Sequence, residues 1–228
     1  MSDTPRVFAY IIRTVGGGYR LKGAVPWVSG GKVFFGACKK RMRPDVQPGD
    51  YIMGISAAGA GRPRRVLLWM KVDKRMTFKD AYDRGETDKA FREVRGTAIH
   101  VRPRNVSLHH PGDPGCYEHI PGAPHSDEWE SDLKGKRDVF LTGARGSWVA
   151  AEKGPEVTGV LVDLLRDGIN WKGNATVTHP LTENARGKHA LVVGTTARQI
   201  ISWIPRGRMG VEAESRPISA CSQKCSCD

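Results

Sequence analysis

The sequence predicts an α+β fold with a mixed or antiparallel, barrel-like curled sheet and flanking helices. Short apolar runs rich in β-branched and aromatic residues cluster early in the chain, and helical patterns follow them at irregular intervals. Strands and helices do not alternate strictly, and the chain contains no G-x-x-x-x-G-K phosphate loop. A curled α+β sheet therefore fits this pattern better than a doubly wound parallel sheet.

Six segments carry the strand pattern. Each is a short apolar run, and turn-forming or charged residues separate it from the next, as expected of strands buried in a sheet. A Pro48-Gly49 turn introduces the third segment. The predicted strands are residues 7–13, 32–36, 50–56, 65–72, 138–142 and 189–194.

Three helices are predicted from their start and stop signals. Thr77 is a candidate N-cap for a helix that begins "FKDAY", with Asp80 at its third position. Apolar residues within 157–165 recur at i, i+3, i+4, i+7 and i+8, which marks one face of a helix that Gly168 ends. The run "TTARQIISWI" predicts a last helix that is capped by one of its two threonines.

The chain is predicted to form a single domain over residues 1–208. Residues 95–136 are rich in glycine, proline, histidine and charge, so they are interpreted as an irregular insertion, which is more often functional or disordered than structural. Residues 209–228 form a polar tail that carries three of the five cysteines and is expected to be disordered.

The charge of the chain indicates a polyanionic partner. Lys and Arg number 36 against 24 Asp and Glu, which gives a formal net charge of +12. Such a charge attracts polyanions; the alternative is an evenly solvated cationic surface. The basic residues fall in clumps, which favours a nucleic-acid footprint. Candidate phosphate contacts are Lys39, Arg41, Arg43, Arg62, Arg64 and Arg65.

Membrane and secretory signals are not found in the sequence. No run approaches the ~18 apolar residues of a membrane span. The start "MSDTPRVFAYIIR" places its acid before its base and has only a short apolar run, unlike a signal peptide. Five cysteines, an odd number, indicate free thiols. The sequence therefore predicts a cytoplasmic protein with no membrane partner and no cofactor.

Residues 34–56 are the first candidate for chemistry. A strand leads into a turn with one thiol and four cations, and a Pro-Gly turn delivers Asp50 to the next strand. Cys38 is a candidate nucleophile because adjacent lysines lower a thiol pKa. Asp50 is a candidate base, and with Ser56 it would fix a base edge at the rim of the sheet. The alternatives are an inert buried thiol and a carboxylate that caps the turn.

Residues 108–125 are the second candidate. They combine types of residue that bind metals, but their spacing matches no zinc signature, so a metal-free mobile surface loop is predicted. Three tryptophans, at 27, 129 and 148, are candidates either for base stacking or for the core. The two sets are His109, His110, Cys116, His119 and His125, and Trp27, Trp129 and Trp148.

Several ordered segments together carry a family resemblance. They are "FAYIIR", "FFGACKKRMR" with "QPGDYIMGIS", "VLLWMKVDKRMTFKDAYD", "HSDEWESD" and "DVFLTGARGSWVAAEKGPEV". On these motifs the chain resembles the second of the nucleotide modification associated domain families, which occur in phages and bacteria. The resemblance implies a role in modified-nucleotide metabolism and a topology similar to small barrels that read modified bases.

The leading hypothesis is a nucleic-acid or nucleotide-binding module that recognises or processes modified DNA bases. The first alternative is an enzyme that acts on a modified nucleotide, with Cys38 or Asp50 as its catalytic group. The second alternative is a basic partner subunit of a modification or defence complex.

Overall fold

The computed structural model describes most of the chain between residues 4 and 204. The ranges are 4–12, 14–15, 20–21, 26–37, 39–56, 63–150, 154–157, 159–167, 169–171 and 189–204. The predicted tail, 209–228, lies outside them. Among the described residues, no helix has the length and apolar character needed to cross a membrane.

One large mixed sheet dominates the fold, as the sequence predicts. The strands are β1 Val7–Ile12, β2 Thr14–Val15, β3 Arg20–Leu21, β4 Trp27–Ser29, β5 Lys32–Phe35, β6 Tyr51–Ser56, β7 Val66–Met76, β8 Val101–Pro103, β9 Tyr117–His119, β10 Phe140–Gly143, β11 Trp148–Val149, β12 Ile169–Trp171 and β13 His189–Val192. The sheet order is β12-β13-β1-β6-β7-β10-β5-β4, and β11 also pairs with β7. Only β1 and β6 run parallel among its described pairs.

The sheet is strongly curled but does not close into a barrel. Three strands separate β1 from β5, so a flat sheet would hold them about 19 Å apart. Tyr10 in β1 and Phe35 in β5 nevertheless lie 5.9 Å apart between ring centroids. In the described sheet β4 pairs only with β5, which leaves an open edge. The curl encloses a core that includes Phe8, Ile12, Ile52, Leu68, Met70 and Leu141.

Five helices flank the sheet in the described part of the chain. They are α1 Phe78–Arg84, α2 Lys89–Glu93, α3 Trp129–Leu133, α4 Gly159–Asp167 and α5 Gly194–Trp203. The predicted cap of α1 is confirmed, because the Thr77 hydroxyl accepts from the Asp80 amide and the Asp80 carboxylate accepts from the Thr77 amide. The predicted cap of α5 by Thr195 or Thr196 is wrong: the helix follows Val193 and has no side-chain cap.

The segment 95–136, predicted to be an irregular insertion, contains regular elements and packs against the sheet, so that prediction is corrected. It contains the two-stranded β8–β9 sheet and α3. Its apolar residues Val101, Tyr117 and Leu133 are fully buried, and they share a cluster with Phe78 of α1. Local periodicity does not reveal this packing, because the stabilising contacts come from distant strands and helices.

Candidate nucleic-acid interface

The basic turn, residues 39–43, follows β5 and is fixed by close backbone packing. At Gly36 a β-carbon would lie 2.2 Å from the Ala98 carbonyl oxygen, so glycine lets the chain approach segment 95–136. Lys39 then adopts a left-handed backbone conformation with φ of 57°. Its carbonyl accepts from the amides of Met42 (2.9 Å) and Arg43 (3.1 Å), which closes the turn.

Arg43 is buried at the centre of this region, so the prediction that it clamps a phosphate is corrected. Its Nη1 donates to the carbonyls of Arg137 (3.1 Å) and Val139, and its Nη2 donates to the carbonyl of Asp132 (3.1 Å). The guanidinium also lies 5.2 Å from the Phe78 ring centroid. Arg43 therefore acts as a clip between the basic turn and residues 132–139.

The other cations of the turn differ in how they are engaged. The Lys39 ammonium lies 5.0 Å from the ring centroid of Tyr10. Lys40 donates to Ser131 (2.8 Å) and pairs with Glu128 (3.2 Å), so its charge is largely compensated. Arg41 is exposed, and none of the ion pairs found among the described residues involves it. Of the four cations, Arg41 is therefore best placed for a phosphate.

The Arg43 clip brings a second basic segment, residues 134–137, to the turn. The short 3-10 helices Arg43–Asp45 and Gly135–Arg137 pack against each other. Lys134 and Lys136 are exposed, whereas Arg137 donates from Nη1 to the Ser131 carbonyl (3.1 Å). This segment was not identified from the sequence, although "KGKR" is a cluster of basic residues like the one in the basic turn. Arg41, Lys134 and Lys136 are called the basic surface below.

A groove of about 500 Å³ lies next to the turn. The groove lies between the turn and the start of α3, where Lys40 of the turn donates to Glu128 and Ser131. Trp129 is half-buried, and its ring lies 6.3 Å from that of His119. The structure therefore brings this stacking candidate beside the basic turn. The lining residues are Lys40, Asp127, Glu128, Trp129, Glu130 and Ser131.

The other two tryptophans lie elsewhere. Trp148 is 1% exposed in the core between the sheet and helices α4 and α5, so its proposed base-stacking role is corrected. Trp27 is half-buried in β4, opposite Phe34, and packs against the cluster that contains α1 and α2. Trp129 packs against the same cluster as Trp27, but of the three tryptophans only Trp129 lines the groove beside the basic turn.

Asp50 and Ser56 are both engaged in holding the backbone. Asp50 is buried and accepts from Arg6 Nε (2.9 Å), Arg6 Nη2 (2.5 Å) and the Gln47 amide (2.7 Å). The Ser56 hydroxyl accepts from the Arg65 amide (2.9 Å) and is buried. These contacts match the alternative interpretation of Asp50 as a carboxylate that stabilises the turn. Cys38 lies outside the described residues.

The arginines that precede β7 are separated from the basic turn. Arg65 donates to the Gly154 carbonyl (2.9 Å) and pairs with Glu156 (2.5 Å). Burial lowers the pKa of Arg64 below its ordinary value. The chain that leaves the basic turn passes Gly49, whose amide donates to the Val72 carbonyl. Val72 lies roughly 20 Å along β7 from Arg65, so the basic turn and these arginines are far apart along this strand. Arg62 lies outside the described residues.

Four titratable residues cluster behind α3. His100 is fully buried, and both of its ring nitrogens lack a hydrogen bond among the described residues. Its Nε2 lies 3.7 Å from the Asp132 carboxylate, which contacts His125 Nδ1 at 3.0 Å. The His119 ring lies 6.3 Å from that of His100. His100 was not among the candidates from the sequence.

The environment of this cluster perturbs its pKa values. Burial lowers the pKa of His100 to about 3, although Asp132 opposes the change. Burial alone would raise the pKa of Asp132, but the hydrogen bond from His125 and the charge of Arg43 keep it below its ordinary value. Within the described part of the chain, no three His, Cys, Asp or Glu side chains are arranged to hold a metal ion.

Comparison of the chain with protein-family models, with curated proteins and with solved structures found no match.

Proposed function

We propose that this protein binds nucleic acid through the basic surface formed by Arg41, Lys134 and Lys136. One observation carries the proposal: the buried Arg43 clip ties the basic turn to residues 134–137. Two cationic segments that are distant in sequence thereby become neighbours with their backbones fixed. A preorganised set of cations binds a phosphate chain with a smaller loss of conformational entropy than scattered lysines do.

The charge of the whole chain supports the same proposal. The formal charge of +12 attracts polyanions over long distances, while the exposed cations of the basic surface supply local contacts. Each phosphate that a Lys or Arg neutralises releases counterions, so the binding should weaken with added salt. These contacts position a strand but carry no sequence information.

The family resemblance suggests a biological setting for this binding. We propose that the nucleic acid is DNA with modified bases, which the protein recognises or presents for processing. The enzyme alternative, with Cys38 or Asp50 as catalytic group, gains little support from Asp50, because that carboxylate is occupied by Arg6 and Gln47. The subunit alternative predicts instead an acidic protein partner for the same cations.

Equilibrium binding over a series of salt concentrations tests the proposal. Three phosphate contacts predict a log–log slope of about −2.7 on duplex DNA, or roughly a 40-fold loss of affinity from 50 to 200 mM salt. Polyglutamate, a polyanion without bases or phosphates, is the control. Absence of DNA binding at 50 mM salt, or equal affinity for polyglutamate, would overturn the proposal; the second result would favour an acidic protein partner.

A further inference from the structure

The groove beside Trp129 differs in charge from the basic surface. Three of its lining residues carry carboxylates, and its one cation, Lys40, is 13% exposed and bound to Glu128 and Ser131. The groove therefore repels phosphate, in contrast to Arg41, Lys134 and Lys136 nearby. A ligand that fits here must supply hydrogen-bond donors rather than negative charge.

Two carboxylates of the groove can accept further hydrogen bonds. Glu130 is exposed, and no described residue bonds to its carboxylate. Asp127 is also exposed and receives one hydrogen bond, from the Ser126 hydroxyl (3.1 Å). Ionised carboxylates only accept hydrogen bonds, and each provides about four lone-pair sites. By contrast, the Ser131 hydroxyl is already used, since it donates to the Glu128 carbonyl (2.8 Å) and accepts from Lys40.

Trp129 lines the same groove as these acceptors and supplies an aromatic side chain. Its indole packs against His119, with a ring separation of 6.3 Å and an interplanar angle of 35°, and this contact restrains its orientation. The backbone of α3 is held in turn by Arg43, which donates to the Asp132 carbonyl. A supported indole with acceptors beside it is suited to a flat ligand that stacks and donates at its edge.

We propose, on the premise that the protein binds nucleic acid, that the Trp129 groove binds a nucleobase with an exocyclic amino group. Cytosine, adenine and guanine each present such a group, and Asp and Glu are known to accept from the amino group of cytosine. Thymine and uracil present carbonyl oxygens there instead, which carboxylates repel. The phosphates of the same strand would contact the basic surface outside the groove.

Nucleosides isolate the groove from the basic surface, because they carry no phosphate. Equilibrium dialysis of the full chain against deoxycytidine, deoxyadenosine, deoxyguanosine and thymidine is expected to show about tenfold weaker binding of thymidine. Homopolymeric oligonucleotides are expected to show the same order of affinities if the groove binds a base that is part of a strand. Equal or tighter binding of thymidine would overturn the inference, as would uptake of spermidine without uptake of any nucleoside.

A pair of variants tests which atoms carry the preference. Glu130→Gln keeps the size of the side chain but adds donors that suit a thymine carbonyl, so the preference should shrink at least fivefold. Asp73→Asn removes the same charge from an exposed position on β7 and should leave the preference unchanged. Trp129→Phe keeps an aromatic ring and preserves folding better than Ala would. It should weaken the binding of all four nucleosides to a similar extent.

The two proposals fail in distinguishable ways. Salt-dependent binding of oligonucleotides without any base preference would refute the groove inference and leave the proposed function standing. A base preference among nucleosides without salt-dependent binding of oligonucleotides would refute the proposed function instead. An unchanged preference for nucleosides with an amino group in Glu130→Gln would likewise show that the Glu130 carboxylate does not select the base.

Discussion

His100 lies in the core with neither ring nitrogen hydrogen-bonded to a described residue, and this has a consequence for stability. A buried imidazole without a partner for its proton stays neutral, since charging it would require desolvation. The surrounding groups, Arg43, His119 and His125, add to this effect, and Asp132 only partly opposes it. The pKa of His100 therefore falls from 6.5 to about 3 in the folded state.

This shift predicts a loss of stability in mild acid. Between pH 6.5 and 3 the unfolded chain binds a proton at His100 that the folded chain does not, so the free energy of unfolding falls as the pH falls. The expected contribution is about 1.4 kcal/mol per pH unit near the middle of that window. In urea unfolding at several pH values, His100→Phe should show a smaller slope than the wild type.

The exposed histidine His110 provides the matched control for this experiment. His110→Phe makes the same chemical change at the surface and should retain the pH slope of the wild type. If His100→Phe and the wild type lose stability in parallel between pH 6.5 and 4, the buried histidine does not stay neutral as described.

At the level of elements, two arginines of the same turn have opposite roles. Arg43 is buried and bonded to carbonyls of residues 132, 137 and 139, whereas Arg41 is exposed. Arg43→Met should leave buried carbonyls without donors and lower the free energy of unfolding by about 3 kcal/mol. Arg41→Met should change stability by less than about 0.5 kcal/mol but should weaken DNA binding.

Urea unfolding and DNA titration of both variants, at a temperature where Arg43→Met remains folded, check this contrast. Loss of stability in Arg41→Met, or a neutral Arg43→Met, would contradict the assignment of the clip. Arg43→Lys adds a second test, because a lysine cannot reach several carbonyls in the planar geometry of a guanidinium. It should recover only part of the lost stability.

Local patterns predicted the elements well where the element itself carries the signal. Short apolar runs marked β1, β5, β6, β7 and β10, and Thr77 with Asp80 marked the start of α1. The sequence could not distinguish Arg43 from Arg41, because burial of Arg43 depends on residues about 90 positions away. The same holds for His100 and for the packing of α3, whose partners come from other elements.

At the scale of the whole molecule, the curled sheet explains how these segments meet. β5 pairs with β10 in the sheet, so the turn after β5 lies beside the chain that leads into β10, which includes residues 134–137. The basic surface is thus a consequence of strand order. Another basic clump, Arg64 and Arg65, directly precedes β7, and Arg65 makes its own contacts with Gly154 and Glu156.

The salt dependence of DNA binding by two charge-matched variants tests whether Arg41, Lys134 and Lys136 contact phosphates. The first variant combines Arg41→Ala, Lys134→Ala and Lys136→Ala. The second combines Lys89→Ala, Arg145→Ala and Arg198→Ala, which remove exposed cations from α2, from the turn between β10 and β11, and from α5. We expect the log–log slope to fall in magnitude by nearly three units, about 0.9 per lost contact, in the first variant. The second variant should keep a slope close to that of the wild type. Equal slopes in the two variants would contradict the assignment of the basic surface as the nucleic-acid interface.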